Sequence, residues 1–140
     1  VQAYADVKDN CDSGQFMAIQ QAAAEALRHP EIGDQVREKY RRRLKKLVDA
    51  LNQVGFKAAM PKGTYFLYTK APKGCTGQTF ANAEEASQFL ITEQSVCCVP
   101  WDDAGAFLRF SVTYIAKDEA EEDALMKETV DRLGKLKLQF

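Results

Sequence analysis

The chain has 140 residues, which is the usual size of one domain and enough to bury an apolar core without disulfides. Its formal net charge is −1, so no global field attracts nucleic acid or an anionic membrane surface. No apolar stretch is long enough to cross a bilayer, and no secretory signal opens the sequence. Because the chain begins with Val1 and not with Met, we expect it to be part of a longer polypeptide.

The cysteines indicate free thiols and no metal site. Cys11, Cys75, Cys97 and Cys98 form no C-x-x-C pair, and the single histidine, His29, follows no zinc-finger spacing. We therefore expect a reducing compartment and a cytoplasmic location. His29 is predicted to act only as a partner of a helix dipole, at the end of the first helix.

Two helices are predicted in the first third of the chain. The first begins near Asp12, because Asp12 and Gln15 have the spacing of a capping box, and it ends at Pro30. In the second, apolar residues recur at spacings of three and four from 36 to 54, and Gly55 fits its C-terminal cap. Its basic run, residues 41–46, is interpreted as a solvated helix face, with a nucleic-acid patch as the alternative.

The middle of the chain predicts strands and a third helix. Residues 56–60 and 64–69 are strand candidates joined by a Pro-Lys-Gly turn, which indicates a hairpin. An exposed loop is predicted at 70–81, followed by a helix whose capping pair is Asn82 and Glu85. The next strand is predicted at 95–99.

Arg109 is the most informative residue of the chain. It lies in an aromatic strand candidate, 107–112, where alternation places Leu108 on one face and Arg109 on the other. A guanidinium on a strand can bind a carboxylate through two parallel hydrogen bonds. The alternative is an arginine that extends to water and covers the sheet with its stem. The segment before this strand, residues 100–105, is predicted to be a turn in which Trp101 is either packed or an exposed recognition element.

The order of these elements indicates the fold class. A last helix is predicted from Asp118, with Glu121 as its capping partner. Helices and strands in this order predict an α+β fold, a two-layer sandwich in which a small antiparallel or mixed sheet carries helices on one face. The other face of the sheet, which carries Arg109, is then left for another purpose.

Four segments, taken in order, carry a family resemblance. They are a Val-Lys-Asp-Asn segment leading into an Ala-rich helix, a turn before an aromatic strand, a strand ending in proline, and the arginine strand, at residues 7–16, 60–68, 95–100 and 108–111. Together they resemble the C-terminal part of the class I and II (fold type I) pyridoxal-phosphate-dependent aminotransferases. The resemblance is strongest to the aspartate and LL-diaminopimelate branch.

The resemblance implies a function and assigns residues to it. It implies that residues 1–30 form a helix linking from a large domain and that 31–140 form the small C-terminal domain. The whole protein would move an amino group between an amino acid and a 2-oxo acid, as a homodimer, with no nucleic-acid or membrane partner. Pyridoxal 5'-phosphate and the lysine that forms its Schiff base would belong mainly to the large domain, so this chain would be inactive alone.

By the same resemblance, Arg109 matches the strand arginine that binds the substrate α-carboxylate. Asn10 lies in the segment that can approach the active site of a partner subunit. Trp101 stands where the family commonly has glycine, so it is a candidate for narrowing the substrate pocket. A non-catalytic α+β module that binds an acidic ligand or partner through Arg109 remains the alternative function.

Overall fold

The computed structural model describes residues 1–11 and 16–140, which form two compact units, Val1–Arg37 and Glu38–Phe140. The predicted capping pair, Asp12 and Gln15, lies outside the described residues. The predicted division of the chain at residue 30 stays a prediction.

The first unit is helical. It contains α1 (Gln2–Cys11), α2 (Met17–Ala26) and the beginning of α3 (Pro30–Gln53), and no residue of α1 or α2 is buried. Pro30 was expected to mark the end of a helix, but it opens α3 instead. Proline fits the first helical position because the N–H that it lacks would have no partner inside the helix there. The His29 ring nitrogens lie 3.2 Å from Glu25 Oε1 and 2.8 Å from Glu31 Oε1.

The second unit has the predicted α+β architecture. After the rest of α3, its elements are β1 (Phe66–Lys70), β2 (Gly74–Cys75), β3 (Gln78–Thr79), α4 (Ala83–Gln94), β4 (Val99–Trp101), β5 (Phe107–Ser111) and α5 (Glu119–Gly134). A three-stranded antiparallel sheet has the order β1-β5-β4, and β2 pairs with β3 within the segment predicted to be only a loop. Helix α3 ends as predicted, with Gly55 at a φ of 97°.

Helices pack on one face of the three-stranded sheet. Leu67, Leu108 and Phe110 point to this face and are buried. They share one core with residues of all three helices of this unit, namely Leu47 and Leu51 of α3, Ala86 and Leu90 of α4, and Leu133 of α5. Alternation along β5 therefore has the predicted sense, because Leu108 is fully buried while Arg109 is only partly covered.

The predicted hairpin is wrong, because residues 56–60 are not a strand. The Asn52 side chain donates to the carbonyl oxygen of Ala58 at 3.0 Å and accepts from its N–H at 2.8 Å. Asn52 therefore makes the two backbone hydrogen bonds of Ala58 that a neighbouring strand would otherwise make. Strand β1 pairs with β5 instead. The predicted strand at 95–99 is displaced as well, since β4 begins at Val99 and includes Trp101.

The basic run of α3 is only partly a solvated face. Arg42, Arg43 and Lys46 converge on Glu122 of α5, whose side chain is 2% exposed. The distances to its carboxylate oxygens are 3.1 Å from Arg42 Nε, 2.7 Å from Arg43 Nε and 3.3 Å from Lys46 Nζ. Burial alone would raise the pKa of the Glu122 carboxyl group. The hydrogen bond from Arg42 has the largest effect and, with those from Arg43 and Lys46, lowers this pKa to about 2.

Arg43 also fixes the chain beyond β5. Its Nη1 donates to the carbonyl oxygens of Val112 at 3.2 Å and Tyr114 at 2.6 Å, and its guanidinium lies 4.5 Å from the centre of the Tyr114 ring. This cluster ties α3, α5 and the end of the sheet together. The expectation of a solvated face holds for Arg41 and Lys45, whose side chains are exposed.

Candidate functional site

One face of the three-stranded sheet carries none of the buried apolar residues, and we call it the open face. Its residues follow from the strand register and from alternation along each strand. They are Phe66, Tyr68 and Lys70 of β1, Phe107, Arg109 and Ser111 of β5, and Val99 and Trp101 of β4. All of them are exposed or half-buried, with Tyr68 at 45% and Trp101 at 41% exposure.

Arg109 occupies the centre of the open face. It lies on the middle strand, opposite Tyr68 on one side and Val99 on the other. The carbon of its guanidinium is 4.4 Å from the centre of the Phe66 ring and 6.0 Å from the centre of the Trp101 ring. Phe66 faces Ser111 and Trp101 faces Phe107 in the register, so the two rings approach Arg109 from diagonally opposite positions.

Within the described ranges, the guanidinium of Arg109 has no carboxylate partner. Among residues 1–11 and 16–140, no hydrogen bond or ion pair of its side chain is present. Its surroundings are aromatic rings, which contact the flat face of a guanidinium and leave the N–H groups at its edge open. A half-buried cation with free donors in a planar fork is suited to bind a carboxylate through two hydrogen bonds.

Trp101 lies on the same face as Arg109. The sequence placed it in a turn, but it is the last residue of β4, and the turn begins after it. Its ring packs edge-on against Tyr68, with 6.2 Å between centroids. The next residue, Asp102, accepts hydrogen bonds from the N–H groups of Ala83 at 2.9 Å and Glu84 at 3.3 Å. The start of α4 thereby holds the end of β4, which fixes the backbone beside Trp101.

Asn10 lies in the first unit, on α1. Its Nδ2 donates to the carbonyl oxygen of Asp6 at 2.7 Å, within the same helix, and the residue is exposed. The geometry of the second unit brings Arg109 and Trp101 together and does not bear on Asn10. The predicted approach of Asn10 to an active site therefore stays a prediction.

Two residues beside Arg109 were not singled out from the sequence. Phe66 and Tyr68 alternate along a predicted aromatic strand, so they could have been placed on one face. Their proximity to Arg109 depends on the pairing of β1 with β5. The predicted hairpin had instead paired this strand with residues 56–60.

The remaining predictions concern the thiols, metals and membranes. All four cysteines are free, and Cys97 is exposed whereas its neighbour Cys98 is buried. In the described part of the chain, no group of three or more His, Cys, Asp or Glu side chains could hold a metal ion. No helix of the described ranges has the length and apolar character needed to cross a membrane.

Comparison with known proteins identifies the family. Residues 2–127 match the family model described as aminotransferase class I and II. The chain belongs to this family. Two similar aminotransferases are the LL-diaminopimelate aminotransferases of Methanocaldococcus jannaschii and Methanococcus maripaludis, each 49% identical over the whole of this chain. The chain spans 35% of the length of each of them.

Solved structures agree with the architecture. BacF of Bacillus subtilis, without ligand, superposes with a TM-score of 0.77 at 26% identity and covers 99% of this chain and 35% of its own. An aromatic aminotransferase of Pyrococcus horikoshii has a TM-score of 0.66 at 26% identity, covering 84% of this chain and 30% of its own. The α+β fold predicted from the sequence, and its resemblance to this family, are confirmed.

Proposed function

We propose that this chain is the C-terminal part of a pyridoxal-phosphate-dependent aminotransferase. Residues 1–30 link it to a large domain, and residues 31–140 are the small domain. In the whole protein, Arg109 binds the α-carboxylate of the substrate. The observation that carries the proposal is the guanidinium of Arg109 at the centre of the open face, without an ion-pair partner among the residues that the structure describes, in a member of this family. The donor is an amino acid of the aspartate or LL-diaminopimelate type, and the acceptor is a 2-oxo acid.

The role of Arg109 follows from the geometry of a planar fork. Two parallel hydrogen bonds to a carboxylate fix two points of the substrate, and the strand beneath Arg109 holds the fork still. Bound pyridoxal phosphate would supply the electron sink for the reaction, and the protein must orient the substrate toward it. Orientation of this kind contributes a large share of an enzyme's rate enhancement, and a displacement of about 1 Å costs about a hundredfold in rate.

The open face fits a carboxylate better than it fits the cofactor. Pyridoxal phosphate needs a lysine for its aldehyde and several donors for its phosphate. Lys70 lies on the open face at the end of β1, but the groups around Arg109 are aromatic rings, which cannot hold a phosphate. We therefore assign the cofactor lysine and the phosphate-binding groups to the rest of a longer protein. The length of the relatives, of which this chain spans about a third, supports that assignment.

Three further assignments belong to this proposal. Trp101 borders the bound substrate next to Arg109 and narrows its pocket, because its ring is half exposed on the open face. Asn10 serves the active site of a partner subunit in a homodimer. The apolar side chains that α1 and α2 expose, which include Tyr4, Val7 and Ile19, are the kind of surface that another domain or subunit covers. The cytoplasm is the expected location.

The test uses the full-length protein that carries this chain. Amino transfer is measured with aspartate and with LL-diaminopimelate as donors and a 2-oxo acid as acceptor. We expect Arg109→Lys to raise KM and to lower kcat/KM by about a hundredfold or more, because lysine loses the fork. Arg41→Lys is the matched control, since Arg41 is an exposed arginine on the outer face of α3.

Two results would contradict the proposal. Equal kinetics for Arg109→Lys and Arg41→Lys would remove Arg109 from the substrate site. Absence of amino transfer, together with carboxylate binding that depends on Arg109, would favour the non-catalytic module that binds an acidic ligand.

A further inference from the structure

We propose that Phe66 is a positioning residue for Arg109. Its ring holds the Arg109 guanidinium in the orientation that receives the carboxylate. The inference rests on the proposed function of Arg109 and adds a second residue to it. The observation is the stacking of the Arg109 guanidinium on the Phe66 ring, with 4.4 Å from its carbon to the ring centre.

Phe66 is the nearest aromatic support of Arg109. The Trp101 ring is also beside the guanidinium, but at 6.0 Å, and Tyr68 lies directly opposite in the register. A cation over a ring face is attracted by the negative charge of that face, and the attraction grows as water is excluded. Arg109 has no carboxylate or carbonyl partner among the described residues, so the Phe66 ring is the nearer of the two rings that restrict its side chain.

The backbone that carries Phe66 is fixed on both sides. Phe66 pairs with Ser111 in the β1–β5 ladder. At the preceding residue, Tyr65, the carbonyl oxygen accepts a hydrogen bond from the Val112 N–H at 3.1 Å. The Tyr65 ring lies 4.5 Å from the Phe66 ring and 5.8 Å from that of Tyr40 on α3, measured between centroids. A row of three rings therefore connects α3 to the guanidinium.

Strain in the backbone next to this row supports a positional role. Thr64 has a φ of 70°, in the left-handed region, although a β-branched residue strongly disfavours it. Such strained residues persist only where their surroundings fix them, and they occur most often at functional sites. The turn at Thr64 sets the direction in which Tyr65 and Phe66 enter β1, so the strain lies where the position of Phe66 is decided.

The energy of the stack sets the expected effect. A cation–π contact contributes about 0.5 kcal/mol when exposed and about 2 kcal/mol when desolvated, which corresponds to between about twofold and thirtyfold in binding. We expect Phe66→Leu in the full-length protein to lower kcat/KM for the amino acid by a factor in this range. Phe66→Tyr keeps the ring face and should remain near the wild-type value.

The decisive readout compares two substrates. The first is the amino acid, and the second is its amide, in which a neutral carboxamide replaces the α-carboxylate; both are followed in single-turnover reactions. A general disturbance of the fold lowers both rates alike. Loss of carboxylate positioning lowers the ratio of the amino-acid rate to the amide rate. Phe107→Leu is the matched control, because Phe107 is a partly buried ring on the open face. It packs against Tyr68, with 6.4 Å between the ring centroids.

A second variant keeps the test valid if Phe66→Leu fails to fold. Replacement of Phe66 by pentafluorophenylalanine preserves the shape of the ring and reverses the charge of its face. We expect it to lower the substrate ratio as Phe66→Leu does. An unchanged ratio with this ring would overturn the proposal.

A double-mutant cycle separates the two proposals. If Phe66 acts through Arg109, Phe66→Leu has no further effect on the ratio in an Arg109→Lys background. If Arg109→Lys alone leaves the kinetics unchanged, the proposed function itself is wrong. If Arg109→Lys is defective but Phe66→Leu behaves like Phe107→Leu, only the positioning role is wrong.

Discussion

Replacement of Glu122 by glutamine should lower the stability of the second unit by several kcal/mol at neutral pH. The carboxylate of Glu122 is almost fully buried and receives hydrogen bonds from Arg42 and Arg43, with Lys46 within ion-pair distance. These cations lower its pKa from an ordinary 4.5 to about 2. A difference of about 2.5 in pKa corresponds to about 3 kcal/mol. Removal of one partner of a buried ion pair costs about 3–5 kcal/mol, because the other charge stays buried.

The pH dependence has a defined sign. A carboxyl group whose pKa is lowered by folding contributes its full stabilisation above the unfolded pKa, near 4.5, and loses it as the pH falls toward about 2. Glutamine at position 122 does not titrate. The difference in unfolding free energy between the wild type and Glu122→Gln should therefore be largest at neutral pH and should shrink between about pH 4.5 and about pH 2.

Urea unfolding of the 140-residue chain measures this difference. Trp101 is its single tryptophan and lies in the same unit as Glu122, so its fluorescence reports the relevant transition. Glu128→Gln is the control, because Glu128 pairs with Arg132 on the exposed face of α5. An exposed pair contributes at most about 1 kcal/mol. A loss of stability no larger than that of Glu128→Gln, or one independent of pH, would refute the reasoning.

Two further predictions test the thiols and the end of β4. Burial raises the pKa of the Cys98 thiol to about 11, so an alkylating reagent at pH 8 should label the exposed Cys97 and leave Cys98 until the chain is unfolded, as read by peptide mass. Equal labelling of the two would contradict the burial of Cys98. Asp102→Ala should lower the free energy of unfolding by about 1 kcal/mol, because the N–H groups of Ala83 and Glu84 at the start of α4 lose their acceptor. Asp103→Ala is its control, and equal losses for the two variants would show that the hydrogen bonds to Asp102 do not stabilise the start of α4.

Local signals in the sequence gave correct structure. Asn82 and Asp118 cap α4 and α5 as predicted, each accepting a hydrogen bond at 2.9 Å from the N–H of the glutamate three positions later. A cap depends only on neighbouring residues, so its pattern is visible in the chain itself. The same holds for the alternation along β5, which placed Arg109 on the face opposite the core.

Contacts between distant segments could not be predicted in the same way. The partner of β1 is β5, about 40 residues away, and two strand candidates beside a turn favoured the nearer pairing. Arg43 precedes Leu47 by four positions, so helical spacing would have put both on the core side of α3. Its charge favoured a solvated position instead, because the partner that makes burial tolerable, Glu122, is 79 residues away.

A comparison of Arg43 with Arg109 shows why Arg109 is the better candidate for binding. Arg43 is buried and has a carboxylate and two carbonyl oxygens, so its charge is satisfied within the fold. Arg109 is half-buried and has aromatic rings alone, among the described residues, as its close partners. Covering a cation without a counter-charge costs free energy that the fold does not recover. The carboxylate that we propose as its ligand would supply that charge, so the missing counter-charge favours an anion as the ligand of the open face.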